Sequence, residues 1–545
     1  MKSIHKILFT LIILFASFLR LYDLSSIPAG VNRDEASIGY TAYSILQTGK
    51  DEYGKRLPLS FESFGDWKLP LYIYTTIPFV KVLGLTELSV RLPSALAGIF
   101  TIGALFALVR VLFANIPLAL LSSFILSIMP WHIHISRVES ESNIAILFVT
   151  LATILFLKAL TYKRTIFLTI SGVLFALTYY TYHGNHIFTT LFALGLIFLY
   201  RDEVFRIPKW FVSAGVSLAL VAIILSFTLF SANKTKISGI GIFGDPTIVH
   251  TKIELVRLSH ANPSALFSRL LHNKPIYALS TITQNYLKSY SPEFLFITGG
   301  KNHAHNIQGY GNMHPIESIF LLLGLCFVLT QIKKKKYLLI LWWLLAAGVA
   351  PAITKDAPHS NRMFAVVPAL SILVALGIQQ AQTFIQGNKK LLFSVIVGFL
   401  YAWSLLVYKD AYFIHFPYEE AQYWGSSYKQ LSVIVNKPEY KDKNIIISTP
   451  QESPYIYMLF YGNYVPALYQ KQAIRYPISS DGFTDVKAFG RFTFRAIDWG
   501  SDINLPNTLL ITKANEAPSS LSSKIVNTIS LPNGQAHFVV IDTNK

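Results

Sequence analysis

The stretch Arg20–Tyr43 reads RLYDLSSIPAGVNRDEASIGYTAY and follows on an apolar run, 4–22, long enough to cross a bilayer. A helix that leaves a membrane either turns straight back or hands over to an ordinary soluble domain. Here the chain instead sets Arg33, Asp34 and Glu35 side by side within a few residues of the exit. Ionisable groups at that height are functional candidates by default.

Of the 545 residues, 52% are hydrophobic and 14% charged, where soluble proteins carry about a quarter charged. That balance describes a polytopic membrane protein. The net charge is +18, but the lysines and arginines fall between apolar segments and not in one basic domain. They set orientation in a membrane, and no nucleic-acid partner is expected. The single cysteine, Cys326, lies in FLLLGLCFVL. It excludes an intrachain disulfide and a cysteine-based metal site, and reads as a small buried apolar residue. The N-terminus, MKSIHKILFTLIILFASFLRL, has the basic start and apolar core of a signal peptide without a small-x-small cleavage site. It is read as a retained first transmembrane helix.

Candidate spans are 4–22, 89–112, 116–135, 142–161, 165–182, 186–200, 210–231, 314–332, 337–353, 363–381 and 391–408, about eleven in all. With the N-terminus inside, the cytoplasmic turns hold Arg110, then Lys163 and Arg164, then Arg201, Arg206 and Lys209, then Lys333 to Lys336, then Lys389 and Lys390. Every short inner loop is basic, as orientation requires. The chain thus divides into a transmembrane part, 1–408, with extracytoplasmic loops 23–88 and 232–313, and a soluble extracytoplasmic part, 409–545. In the first loop EASIGYTAYSILQTG and WKLPLYIYTTIPFVKVLG suit helices lying in the interface. In the tail NIIIS, YIYMLFYG, TLLIT and HFVVIDT read as strands of a small α/β domain.

This topology gathers scattered polar residues on the outer face. They are Asp34 and Glu35; Arg137 and Glu141 in PWHIHISRVESESN; His183 and His186 in YTYHGNHIF; Lys301, His303 and His305 in GGKNHAHNIQGYG; and His359 and Arg362 in DAPHSNR. Arg137 and Glu141, four apart, also fit a surface ion pair. His132 and His134 beside Trp131 read as interfacial residues. His183 and His186 have a metal-compatible spacing, but no carboxylate partner is fixed by the sequence. No metal ligand set is assigned, no cofactor is certain, and a divalent metal stays open.

Taken in order, these motifs resemble the GT-C fold membrane glycosyltransferases, specifically the protein O-mannosyltransferase and aminoarabinose-transferase superfamily (glycosyltransferase family 39-like). The resemblance covers roughly 5–410. It rests on the RLYDL exit followed by an acidic residue, on Arg91, Pro93 and Gly98 in SVRLPSALAGIF, and on Arg137 before Glu139 or Glu141. It continues through YTYHGNHIFTTLF, SPEFLFITGGKNHAHNIQGYGNMHPIE and PHSNRMFAVVPAL. Two positions depart from the family: His186 and Ala304 stand where arginine is common. YFIHFPYEEAQYWG in the tail adds a loose likeness.

The resemblance implies an inverting membrane glycosyltransferase (a hexosyl- or pentosyltransferase). It would move a sugar from a polyprenyl-phosphate donor to a hydroxyl of a lipid, glycan or protein acceptor, on the outer face of the cell membrane. Asp34 is then the general base, with Glu35 and Glu141 as the other candidate catalytic carboxylates. Arg137, His186, Lys301, His305, His359 and Arg362 are candidates for holding the donor phosphate or substrate. Because neighbouring residues on a helix point about 100° apart, Asp34 and Glu35 cannot share one task. Glu35 is read as a first-turn acid or a partner of Arg33, tolerant of glutamine. Other lipid-linked-glycan enzymes (ligases or polymerases) and a membrane transporter are the competing readings. The chain shows neither the internal symmetry of a transporter nor, in its tail, the WWDYG-like motif of an oligosaccharyltransferase.

Overall fold

Each of the apolar stretches named above carries helix in the computed structural model, which describes residues 2–230, 241–244, 246–259, 266–448, 452–478 and 484–545. Parts of the long loop 232–313 therefore lie outside the described residues. Among the described residues six helices are long and apolar enough to cross a membrane: Ser3–Leu21, Glu87–Phe113, Glu141–Tyr162, Lys335–Ala352, Ser360–Thr383 and Lys389–Glu419. The helix Trp210–Phe230 has 21 residues, and three shorter apolar helices, Thr165–Tyr180, His183–Leu199 and Glu317–Thr330, have 10–17 residues. At 1.5 Å per residue these three are about 21–26 Å long, short of the roughly 30 Å hydrocarbon core.

The stretch 116–135, expected as one span, is broken. Ile116–Ile128 and Pro130–Arg137 meet at 59°. Pro130 has no N–H to give to the preceding turn, so carbonyls there lose their helical partner. Arg20, fully buried, takes them up: its guanidinium donates to Ser127 O at 3.0 Å and Leu126 O at 3.4 Å, and lies 2.6 Å from His132 Nδ1. His132, expected at the interface, is buried and stacked on Phe364. The last span, expected to end at 408, continues to Glu419 through a π turn over Asp410–His415.

The chain divides into two compact units. One is all-helical and comprises Met1–Arg20, Ala97–Ile135 and Ser140–Val407. Within it the helix Glu317–Thr330 packs closely on Val367–Thr383. A Cβ on Gly324 would stand 1.9 Å from Leu373 O, and one on Gly377 1.8 Å from Phe320 O. Two glycines let the backbones touch, as helices do where packing has no hydrophobic advantage over lipid. Cys326, expected to be buried, is exposed on the Glu317–Thr330 helix. An apolar residue can face outward on a membrane helix, because its solvent there is hydrocarbon.

The second unit comprises Leu21–Leu96, Ser136–Glu139 and Tyr408–Lys545, so the first loop is built together with the tail. Its sheet has seven strands in the order β4-β5-β6-β3-β7-β9-β8. They are β3 (Asn444–Ile447), β4 (Ile474–Arg475), β5 (Val486–Phe489), β6 (Phe492–Phe494), β7 (Thr508–Lys513), β8 (Ile525–Ser530) and β9 (Ala536–Asp542). A two-stranded hairpin of β1 (Phe61–Ser63) and β2 (Asp66–Lys68) belongs to the first loop. Central β3 runs parallel to β6 and β7, and the remaining pairs are antiparallel. NIIIS, TLLIT and HFVVIDT are strands as expected. YIYMLFYG is instead the helix Pro454–Tyr461. Its residues 454–460 are all buried, so the run has no exposed face to betray a 3.6-residue period.

Replacing Gly377 by alanine should cost about 1–3 kcal/mol, the usual penalty of overpacking. Alanine at Gly398, where a Cβ meets nothing within 4 Å, should be neutral or mildly stabilising. Thermal unfolding of both variants in detergent checks the contrast.

Candidate functional site

The Arg33–Thr48 helix starts at Asn32, which forms a reciprocal cap with Glu35. Asn32 Oδ1 accepts the Glu35 N–H at 2.8 Å, and Glu35 Oε2 accepts the Asn32 N–H at 3.3 Å. This fixes the first turn, and the helical angle then separates the two acids. The Asp34 side chain is 58% exposed and that of Glu35 0%.

Glu35 is paired with Arg91, not with Arg33. Arg91 Nε donates to Oε1 at 3.0 Å and Nη2 to Oε2 at 2.9 Å, a bidentate pair with both partners fully buried. The Glu139 N–H also donates to Oε1, at 3.0 Å. Arg91 spends its remaining donors on the linker before the helix, bonding Leu24 O at 3.0 Å, Pro28 O at 3.1 Å and Gly30 O. Both oxygens of Glu35 are thus committed to protein donors. Arg33 stacks on Phe64, 4.7 Å from the ring centroid.

Asp34 is bonded at 2.8 Å by Lys68 Nζ, whose side chain is only 7% exposed. Lys68 comes from β2, and sequence reasoning passed over it; its one signal was the isolated cation in DWKLPLYIY. Arg137 is fully buried in the same unit. It bonds Ile27 O at 3.0 Å and Asp23 O at 3.4 Å, and lies 5.0 Å from the Phe413 ring centroid. It holds the linker as Arg91 does.

The helical unit carries a second cluster. Arg362 forms an ion pair with Asp356 and hydrogen-bonds the Tyr182 hydroxyl, and Glu141 acts electrostatically on that same hydroxyl. His359 caps the Ser360–Met363 turn and lies 5.2 Å, ring to ring, from His305. Burial, aided by the charges of His305 and Arg362, holds His359 well below the usual histidine range. The loop bearing His305 is pinned to this turn through Asn306, which accepts from the Gly300 N–H at 2.9 Å and from the Ser360 hydroxyl. Of the residues expected in this unit, Glu141, His305, His359 and Arg362 are brought together. His186 is not: its Nε2 lies 2.9 Å from Tyr179 O and its ring stacks on Tyr179. Lys301 is exposed on the loop. Tyr182 and Asp356 were not foreseen, though both lie inside motifs quoted above. Among the described residues no group of three or more His, Cys, Asp or Glu could hold a metal ion. An apolar cavity of about 340 Å³ opens elsewhere in this unit, lined by Phe175, Tyr179, Ala193, Ile197, Trp210 and Leu218 among others.

The second unit holds a further buried acid. Glu52 is buried, and neither carboxylate oxygen has a hydrogen-bond partner among the described residues. Arg475 beside it bonds the Glu52 carbonyl at 3.2 Å and stacks on Tyr53 at 4.1 Å. Burial pushes Glu52 up to about 8, with Asp51 adding to the rise and Arg475 opposing it.

Sequence and structure comparisons agree with this architecture. Residues 68–227 match the dolichyl-phosphate-mannose-protein mannosyltransferase family. No curated protein matches the chain by sequence. ArnT from Cupriavidus metallidurans bound to undecaprenyl phosphate is similar at a TM-score of 0.55 and 12% identity, over 100% of this chain and 98% of that one. Its apo state gives 0.53 and 12%, over 98% and 97%. The archaeal oligosaccharyltransferase AglB from Archaeoglobus fulgidus, in complex with an inhibitory peptide and a dolichol-phosphate, gives 0.50 and 13%, over 84% of this chain. The chain spans 64% of AglB's length. It has the GT-C fold of membrane glycosyltransferases, and the family model that residues 68–227 match and the structural neighbours are those of glycosyltransferases.

Two outcomes are expected. Glu35→Ala strands the buried Arg91 charge and should cost about 3–5 kcal/mol, read by thermal unfolding. For Glu52 the folded chain keeps a proton that the unfolded chain gives up near the ordinary 4.5. Its contribution is therefore full below that value and is lost as pH rises toward about 8. The unfolding temperature should fall over that window, and Glu52→Gln should flatten the fall.

Proposed function

We propose that this chain is an inverting glycosyltransferase of the outer membrane face, taking a sugar from a polyprenyl-phosphate donor and passing it to an acceptor hydroxyl. The observation that carries the reading is the division of labour at the start of the Arg33–Thr48 helix. Glu35 is consumed by structure, while Asp34 beside it is exposed and held by a nearly buried lysine. We read the nearly buried lysine as holding the exposed carboxylate in a fixed direction, as a reactive group requires.

Asp34 accepts the proton of the acceptor hydroxyl as its oxygen attacks the anomeric carbon. The bond from that carbon to the phosphate oxygen breaks, and its electron pair leaves with the lipid phosphate. Attack opposite the leaving group inverts the centre. The departing phosphate gains charge, which fixed cations stabilise. Lys68 and Arg362 are assigned that task, since ammonium and guanidinium are the phosphate-binding side chains. Neutral His359 and His305 are assigned to the substrate as hydrogen-bonding groups, and Glu141 to orienting Tyr182 and Arg362. The apolar cavity of the helical unit offers room for an isoprenoid chain. Catalysis is assigned to 1–408, with 409–545 as the extracytoplasmic α/β part. The likeness to proteins bound to undecaprenyl phosphate and dolichol-phosphate supports a lipid-linked donor, and the peptide on AglB keeps protein among the acceptors.

Asp34→Asn should lose about 10²–10⁴ in transfer rate while unfolding at the wild-type temperature, measured with purified protein and a labelled polyprenyl-phosphate sugar. An active Asp34→Asn protein would remove Asp34 from the chemistry. The same assay with and without a chelator tests for a divalent metal. For sidedness, cysteines placed at Gln331 and Lys389 should be labelled from the cytoplasm, and those at Asn302 and Lys545 from outside. Cytoplasmic labelling of Lys545→Cys would overturn the orientation.

A further inference from the structure

The helices Leu266–Leu271 and Lys274–Ser289 of the long loop present an apolar face that is exposed among the described residues. In the first, Leu266 and Phe267 are 74% and 70% exposed, Leu270 and Leu271 are exposed too, and only Ser268 is buried. In the second, Ile276, Leu279, Thr283 and Leu287 recur at three- and four-residue steps and form one stripe. Leu279 and Leu287 are 63% and 64% exposed.

The stripe is not a loose end. Asn285 and Ser289, on the opposite side of the helix, are buried. Asn285 Nδ2 donates to Ala352 O at 3.1 Å and Thr354 O at 2.8 Å, and the Tyr286 hydroxyl donates to Leu345 O at 2.9 Å. Asn273 makes the corner between the helices: its Oδ1 accepts the Ile276 N–H at 3.0 Å, and its Nδ2 donates to Leu270 O at 2.8 Å. The polar side is thus bolted to the end of the span Lys335–Ala352, and the leucines and the phenylalanine are held outward. Leu345 on that span is also exposed, so the stripe adjoins a surface that itself faces lipid.

Charge identifies what covers it. Between Leu266 and Ser289 the chain has Arg269, Lys274 and Lys288 and no aspartate or glutamate. A cationic amphipathic helix pair, anchored at the end of a membrane span, has the composition of an element that lies in the lipid interface. We propose that Leu266–Ser289 docks on the membrane surface, with Leu266, Phe267, Leu270 and Leu279 among the acyl chains and the three basic residues on anionic headgroups. This helix pair of the long loop is then tethered to the bilayer and does not hang in water.

The test uses the full chain with Cys326→Ala, carrying a single fluorophore-labelled cysteine at Phe267→Cys, at Leu279→Cys or, as a control in the tail, at Asn533→Cys. The protein is reconstituted in vesicles of neutral phospholipid with and without phosphatidylglycerol. Labels at 267 and 279 should be quenched by lipids carrying a quencher about 5–10 Å below the headgroups and shielded from aqueous iodide, while the label at 533 shows the reverse. Omitting phosphatidylglycerol should weaken the lipid quenching at 267. The proposal is overturned if iodide reaches 267 and 279 as readily as 533. It is equally overturned if both labels are shielded from lipid and iodide alike and cross-link to a second copy.

Discussion

The arrangement of the first loop depends on one buried ion pair. Arg91 and Glu35 exclude water from each other completely, and a pair in that state is stable only if its other donors and acceptors are satisfied. They are. The guanidinium takes the Leu24, Pro28 and Gly30 carbonyls, and the carboxylate takes the Asn32 and Glu139 N–H groups. Two charges thereby organise four pieces of chain: the linker, the cap of the Arg33–Thr48 helix, the start of the Glu87–Phe113 helix and the segment before Glu141. The pair adds little stability over an apolar substitute. It specifies a geometry, because neither partner tolerates the loss of the other.

The same device recurs. Arg20, Arg91 and Arg137 are fully buried, and each donates to carbonyls where the chain has left regular helix. Near a membrane such carbonyls cannot count on water, and irregular backbone is tolerated only where protein satisfies it. Arginine suits the task because its fork offers five donors in a fixed plane and stays charged. Arg137 therefore serves the 23–27 linker, and this weighs against its use as a phosphate ligand. Arg362 contrasts with it: its visible partners are side chains, Asp356 and Tyr182, and an anion could share or replace them.

Hydropathy and loop charge made the helical architecture legible, because a 20-residue apolar run leaves few other structures open. The break at Pro130 was hidden inside such a run, as was the continuation past 408, since apolarity says nothing of direction. Strands at 444–447, 508–513 and 536–542 were readable from β-branched residues. Pro454–Tyr461 was not, because a segment buried on all sides carries no period. At the site, residues inside family-like motifs were singled out, but their partners were not: Lys68 and Tyr182 lie far along the chain from the groups they touch, and Asp356, six residues from Arg362, was passed over inside its own motif. The Arg91–Glu35 pair shows the limit well. Both residues had been singled out, yet nothing local indicates that residues 56 apart share a buried bond.

The two neighbouring acids show how one turn of helix separates structure from chemistry. Asn32 sets the first turn, and the helical step then rotates each residue by about 100° from the last. The inward direction falls to Glu35, where a longer side chain reaches both Arg91 and the cap. The outward direction falls to Asp34, whose shorter side chain keeps the carboxylate close to the backbone, within 2.8 Å of Lys68. Exchanging the two residues would leave the charge unchanged and undo both the buried pair and the proposed base. An aspartate at 35 falls a methylene short of the cap and of Arg91, and a glutamate at 34 gains a rotor where the proposed base needs a fixed direction. The order Asp-Glu is therefore a geometric requirement of this turn, with side-chain length matched to depth.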